Sequence, residues 1–455
     1  MNVTLPFGSQ ETVVEIDEER MDARVVRAAN PASQQTWAEV VTAAMAAPLS
    51  PRAVDLPDLS AGRSGMAPLA EQDLQGKRIA IIVDDRVPHV MPADELVPLI
   101  LDALAKARAA DEDVTLVMAR GIDEPLSHDE LAQALGSDVV ERCRCISHDA
   151  GDREMLRLIG VSRLGTPVWA NRYAVEADYV IGLGRVTPHP THGYEGGYRL
   201  ILPGVCGFET ILRDQSLCFS PDAVPGIHAN PSRRETDAVG RMVGIDFLIN
   251  VVVNASGEPL RAFAGAAETV HHHAIAYGDR EVWGAPIGHS VDITLASHGS
   301  GPVPEGGFDP ETVRRACHVT KSEGTVIILA EKSSPTLPDW RAGDVADDAA
   351  LEALALEDFE RRMRDLAFSE LLRLHERRDW SGGARDVQKR LRAIRDEFQR
   401  RRWLMAAEAV RLVFTQDPQM ALEAGLARHG GRPRVLILPE GETTLPKMAL
   451  HTGPA

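Results

Sequence analysis

Along most of this chain, short unbroken apolar runs alternate with longer stretches in which apolar residues recur every three or four positions. "RIAIIVDD" (78–85) is such a run, ending in acidic residues. It predicts a buried parallel strand with its C-terminal end at a site. "PADELVPLILDALAKARA" (92–109) has helical periodicity with a proline near its start, which suits the first turn of a helix. "DVTLVMARG" (113–121) predicts the next strand. "SHDELAQALG" (127–136) predicts a helix opened by a capping box of Ser127 with Glu130 and closed by glycine. "ADYVIGLG" (177–184) and "GIDFLINVVVN" (244–254) predict further strands. This alternation implies a doubly wound sheet.

A second α/β region begins near residue 276, with strands at "GTVIILAE" (324–331) and "RPRVLILPEG" (432–441) and a charged helical stretch over about 347–415. The first ~75 residues read as a hairpin-like start, then a polar Ala/Pro-rich stretch interrupted by a small helix at "QQTWAEVVTAAMAAPLSP". The expected architecture is α/β, with two domains of mostly parallel sheets flanked by helices. The first domain is placed at 1–275 and the second at 276–455.

Composition narrows the function. A chain of 455 residues is too long for one compact core. A formal net charge of -18 argues against a nucleic-acid partner, because phosphate binding needs clustered Lys and Arg. No apolar run approaches a membrane span, and "MNVTLPFGSQETVVEIDEE" has neither a basic nor an apolar leader region. The expectation is a cytoplasmic protein that handles a small ligand. Five cysteines, an odd number at low density, do not form a disulfide framework.

In an open α/β sheet, ligands bind beyond the carboxyl ends of the strands. Four such ends carry polar residues: Asp84, Asp85, Arg86 and His89; Arg120, Asp123 and Glu124; His148 and Asp149; and the stretch "PHPTHGYEGGYRLILPG" (188–204). The last is the most specific. Gly193, Gly196 and Gly197 permit close backbone approach, and N–H groups of such a loop can cradle a phosphate. Arg199 can clamp an anion, and His189 exchanges protons near neutrality. His192 offers a metal ligand or a second acid/base. The tract "HHHAIAYG" (271–278) spreads its side chains around a helix, so its rings are not expected to converge on one ion.

Five stretches together resemble the nickel-pincer lactate racemase family: "NVTLPFGSQETVVEI", "VDDRVPHVMPADELVPLIL", "SHDELAQALG", the long central run from "ISHDAGDREML" to "GVCGFETI", and "GIDFLINVVVNASGE". The likeness is collinear down to "LPEGETTLP". It implies a two-domain α/β protein with its site in the interdomain cleft. It also implies isomerisation of 2-hydroxy acids. A nickel-bearing pyridinium nucleotide would take a hydride from C2 while a histidine takes the hydroxyl proton.

Carried over by position, the resemblance makes His189 the retained catalytic histidine. Glu195 stands where the family has serine. Arg199 stands where it has the lysine that tethers the cofactor covalently. Gln215 stands where it has a nickel-ligating histidine, and Gln is a poor ligand for nickel. The second catalytic histidine falls on Asp123, with His89 the other candidate for that role. The carboxylate-binding arginine falls on Arg86 or His89, depending on the alignment of that turn. The Tyr-Gln…Lys group falls on Ala296, Ser297 and Ser300, and His298 beside them is a possible substitute. Cofactor-binding candidates are thus Asp85, Gly193, Glu195, Gly196, Gly197 and Arg199, and metal candidates His192 and Gln215. Three classes stay open: a racemase or epimerase of a hydroxy acid other than lactate, an isomerase or lyase with another metal or no cofactor, and a non-catalytic ligand-binding homologue. Oligomeric state is open too, a homodimer included.

Overall fold

A computed structural model describes residues 1–51, 66–84, 91–189, 191–217, 225–228, 230–254, 256–301, 303, 307–331, 409–441 and 443–448. The turn with Asp85, Arg86 and His89 lies outside them, as does most of the charged stretch expected at 347–415. The chain forms two compact units. One holds the described residues from 31 to 278, the other residues 1–30 and the described residues from 279 onward.

The first unit is built on a six-stranded sheet in the order Pro259–Gly265, Phe247–Val253, Tyr179–Val186, Ile79–Asp84, Val114–Ala119, Arg144–Ser147. All neighbours are parallel except the edge pair of Phe247–Val253 with Pro259–Gly265. The apolar runs form its centre because parallel strands are covered on both faces. On one face Ile79, Ile81, Val83, Leu116, Met118, Ile181 and Leu183 pack with Leu96, Val97, Ile100 and Leu104 of the helix Ala93–Lys106. The opposite face carries small residues at the centre. A Cβ at Gly182 or Gly184 would meet the Leu200 side chain, so those glycines leave room for a turn to lie on the sheet. The helix His128–Leu135 has the expected capping box of Ser127 and Glu130.

The second unit holds a five-stranded parallel sheet in the order Arg411–Thr415, Thr320–Leu329, Val291–Ala296, Arg434–Leu438, Asp22–Val25. Val326 and Ile328 face one core while Ile327 and Leu329 face another, as the period of two requires. Residues 1–30 were assigned to the first domain from sequence. They belong with this later unit because Asp22–Val25 completes the edge of its sheet. That pairing spans some 400 residues of sequence and leaves no local signal. Among the described residues, no helix is long and apolar enough to cross a membrane.

Candidate functional site

In the larger sheet the chain order runs outward from Ile79–Asp84 in one direction, then returns beside it with Tyr179–Val186 and continues the other way. The switch point lies between those two strands, and the crevice at a switch point is where doubly wound sheets bind ligands. Tyr179–Val186 leads directly into the stretch 188–204. There Pro188–His189 pairs with Gly193–Tyr194 in a tight hairpin.

Six side chains meet at this hairpin. His189 Nδ1 accepts backbone N–H bonds from Thr191 at 3.2 Å and His192 at 3.0 Å. Its Nε2 lies 3.6 Å from Glu195 Oε1. Glu195 Oε2 accepts from Arg199 Nε at 2.7 Å, an i,i+4 ion pair that is about nine-tenths buried. His192 Nε2 is 2.9 Å from Asp214 Oδ2, and its Nδ1 is 3.0 Å from Thr191 Oγ1. Burial pushes the Asp214 carboxyl up to about 7 against the opposing pull of Arg199 and Arg233.

Beneath this group lies a second layer, from the helices Pro231–Val243 and Ala267–Glu281. Arg233 is 1% exposed. Its Nη1 donates to the carbonyls of Tyr194 at 3.3 Å and Gly196 at 3.2 Å, and its Nη2 to His271 Nδ1 at 3.1 Å. Its Nε is 2.9 Å from Asp237 Oδ1. His271 Nε2 in turn lies 2.9 Å from the Glu195 carbonyl. Burial first, and then the Arg233 charge, hold His271 well below its ordinary value, so it is a neutral ring under a cation. His272 turns instead to His228, at 3.2 Å between Nε2 atoms, and His273 to the Thr269 carbonyl. The three rings of the tract therefore take three separate partners.

The glycines serve the protein's own packing. Gly193 and Gly196 have φ of +75° and +80°. A Cβ on Gly193 would run into the Ile227 carbonyl, and one on Gly196 would come within 2.6 Å of the Arg185 carbonyl. The loop's N–H groups also find internal acceptors: Tyr194 on His192, Glu195 on Thr187, Gly197 on the Asn250 side chain, Arg199 on Gly196. These N–H groups are satisfied within the protein. Gly193→Ala is expected to lower the unfolding free energy by at least roughly 1–3 kcal/mol, the cost of forcing a side chain into left-handed backbone. A thermal melt reads the loss, and an unchanged melt would show that the turn relaxes freely.

Asp123 is exposed in the turn after Val114–Ala119. His148 is fully buried between the Cys206 carbonyl and Asn171, and burial pushes it down to about 4. It is a structural histidine. Ser297 belongs to the second unit, where its hydroxyl donates to the Pro6 carbonyl and its backbone is bonded to Leu438 and Gly441. His298, also buried, has Nδ1 3.9 Å from Asp309 Oδ2. Sequence reasoning passed over Asp214 and Arg233. Asp214 stands next to the candidate Gln215, whereas Arg233 gave no local sign.

The nickel cofactor of the resemblance can be tested against these residues. The tethering position is an arginine already paired with Glu195. Both ring nitrogens of His192 are engaged, and Gln215 offers only an amide. Among the described residues no group of three or more His, Cys, Asp or Glu is placed to hold a metal. The site does not fit a covalently tethered nickel nucleotide.

The family described as lactate racemase N-terminal domain matches residues 7–225. The chain is 27% identical over 333 residues to the lactate racemase of Thermoanaerobacterium thermosaccharolyticum, covering 72% of this chain and 74% of that protein. It is 25% identical over 334 residues to the lactate racemase of Lactiplantibacillus plantarum, with the same coverage. The fold matches the lactate racemase apoprotein of T. thermosaccharolyticum with a TM-score of 0.64 at 21% identity, over 98% of this chain and 100% of that one. Residues 7–225 match the lactate racemase N-terminal domain, and the chain is similar to lactate racemases over 72% of its length.

Proposed function

We propose that the protein is a racemase or epimerase of a 2-hydroxy acid or sugar acid other than lactate. The observation that carries this is the trio His189, Glu195 and Arg199. Proton-handling groups and a cation stand together at the switch point of a lactate racemase domain. Two of the three depart from the family pattern, and those two are bonded to each other. A serine-to-glutamate change beside a lysine-to-arginine change reads as one paired alteration of the site. An arginine cannot form the covalent lysine linkage, but it retains the charge that receives a substrate carboxylate. The hydride route and nickel nucleotide of the resemblance are therefore not assigned to these residues. The chemistry they supply is proton transfer and anion binding.

A panel of D- and L-2-hydroxy acids and aldonic acids, incubated with the protein in deuterium oxide, tests this. Chiral chromatography reads inversion, and mass spectrometry reads deuterium at C2. Inversion with deuterium uptake is the expected result. Inversion without uptake would mean that the C2 hydrogen returns as hydride, and the proton-transfer reading would fail. Neither inversion nor uptake with any acid would sink the isomerase reading in favour of a ligand-binding homologue.

A further inference from the structure

We propose that the groove along the free edge of the larger sheet binds an amphipathic hydroxy acid, with its carboxylate at Arg261, its apolar body along Phe263 and a hydroxyl at His273. This site is separate from the hairpin at 188–204 and does not rest on the isomerase reading.

The groove exists because the sheet stops there. The edge strand Pro259–Gly265 pairs on one side with Phe247–Val253. No strand lies along its other side among the described residues, and Leu49 bridges Gly265 at one end. Side chains of the strand alternate across the sheet. Ala262 and Ala264 join the core that holds Val40 and Ala44 of the helix Trp37–Ala46. Phe263 turns the other way, to His273 and Tyr277 of the helix Ala267–Glu281, and Arg261 follows it. The space around the edge has a volume of about 1180 Å³, enough for a small-molecule ligand.

Two polar groups in this groove have unused capacity. His273 is 9% exposed. Its Nδ1 lies 2.8 Å from the Thr269 carbonyl. A carbonyl only accepts, so Nδ1 holds the proton and Nε2 of the neutral ring carries the lone pair. That Nε2 is buried without a hydrogen-bond partner among the described residues. A buried acceptor is costly to leave unmatched, and a ligand O–H would satisfy it. Arg261 is exposed, and its guanidinium carbon stands 5.1 Å over the Phe263 ring and 5.5 Å over Tyr277. Stacking of this kind holds a guanidinium without using its N–H donors. No carboxylate among the described residues pairs with it.

The surface between these two groups is apolar. Phe263 lies beneath Arg261 and has its ring centroid 6.3 Å from that of His273. Leu49, Leu260 and Ala262 add to the lining. An acid whose carboxylate rests at exposed Arg261 can thus lay its body against Phe263 and bring a hydroxyl to buried His273. The helix separates this site from the hairpin. Two residues turn a helix by about 200°, so His271 goes to the Glu195 carbonyl while His273 lines the groove.

Isothermal titration calorimetry of the full chain with ω-hydroxydecanoate and with decanoate tests this. One bound ω-hydroxydecanoate per chain is expected, favoured over decanoate by roughly 3–10-fold, the ordinary weight of one hydrogen bond. His273→Phe keeps a ring and removes the acceptor, so it should erase that preference while decanoate binds as before. Arg261→Gln should weaken both acids by about 3–5-fold, the upper range for an exposed ion pair. Circular dichroism shows whether each variant is folded. If His273→Phe is not, the two acids compared on the parent and on Arg261→Gln still decide. No binding of ω-hydroxydecanoate, equal affinity for the two acids, or binding indifferent to Arg261→Gln would overturn the proposal. So would a hydroxyl preference that survives in folded His273→Phe.

Discussion

Replacing Arg233 by methionine is expected to lower the unfolding free energy by roughly 3–5 kcal/mol, the usual effect of removing one partner of a buried ion pair. The side chain is 1% exposed and has no route to water. Its guanidinium is the donor for two loop carbonyls, Tyr194 and Gly196, for His271, and the counter-charge for Asp237. Methionine fills a similar volume but leaves the Asp237 carboxylate without its cation. Each loop carbonyl left without its donor adds a cost of about 1–3 kcal/mol unless water enters. Urea denaturation followed by far-ultraviolet circular dichroism measures the loss. The companion double variant Arg233→Met with Asp237→Leu should recover a large part of it, because removing both charges is far less costly than stranding one. A single-variant loss below about 1 kcal/mol, within the range of an ordinary surface change, would mean that Arg233 does not hold the loop. Turnover should fall in the single variant too, since Glu195 and its neighbours stand on the backbone that Arg233 grips.

What was legible in the sequence, and what was not, follows from the range of the forces involved. The runs at 78–85, 113–121, 177–184, 244–254, 324–331 and 432–441 became strands within a few residues of their predicted bounds. Burial on both faces writes itself into contiguous apolar residues. The capping box at Ser127 was legible because both of its hydrogen bonds close within three residues. The parallel pairing of Asp22–Val25 with Arg434–Leu438 was not legible, because the edge it completes lies at the far end of the chain. At the candidate site, His189, Glu195 and Arg199 were visible as titratable residues crowded into one segment. Their arrangement was not, since the Glu195–Arg199 ion pair and its approach to His189 depend on how the hairpin closes. The glycines misled for a similar reason. Left-handed backbone and close approach were correctly expected, but the approaching groups are the carbonyls of Ile227 and Arg185. Arg233 left no trace because a buried arginine in a helix reads as one more surface charge until its neighbours are known.

Asp214 should make the protein's stability depend on pH in a direction opposite to that of most carboxylates. An unfolded aspartate titrates near 3.9. Here burial raises the carboxyl to about 7. Between those values the native state holds a proton that the unfolded chain has released, so unfolding releases protons and native stability falls as pH rises through that window. Below about pH 4 both states are protonated and this contribution vanishes. Above about 7 both are ionised and the full penalty is present. Asp214→Asn keeps an oxygen for His192 Nε2 but cannot ionise. The variant should therefore gain on the parent protein steadily from pH 4 to 7 and hold a constant advantage beyond, on the order of a few kcal/mol. Urea midpoints of both proteins at intervals of pH measure the difference, and parallel curves would show that the carboxyl titrates in its ordinary range. A carboxyl kept at this cost beneath the hairpin, with Oδ1 buried and unpartnered, is poorly explained by stability. It is better explained by its neighbour. Asp214 fixes His192, whose backbone N–H donates to His189 Nδ1. If that chain of contacts is the reason the carboxyl is retained, Asp214→Asn should leave turnover close to that of the parent, and Asp214→Leu, which removes the acceptor from His192, should lower it.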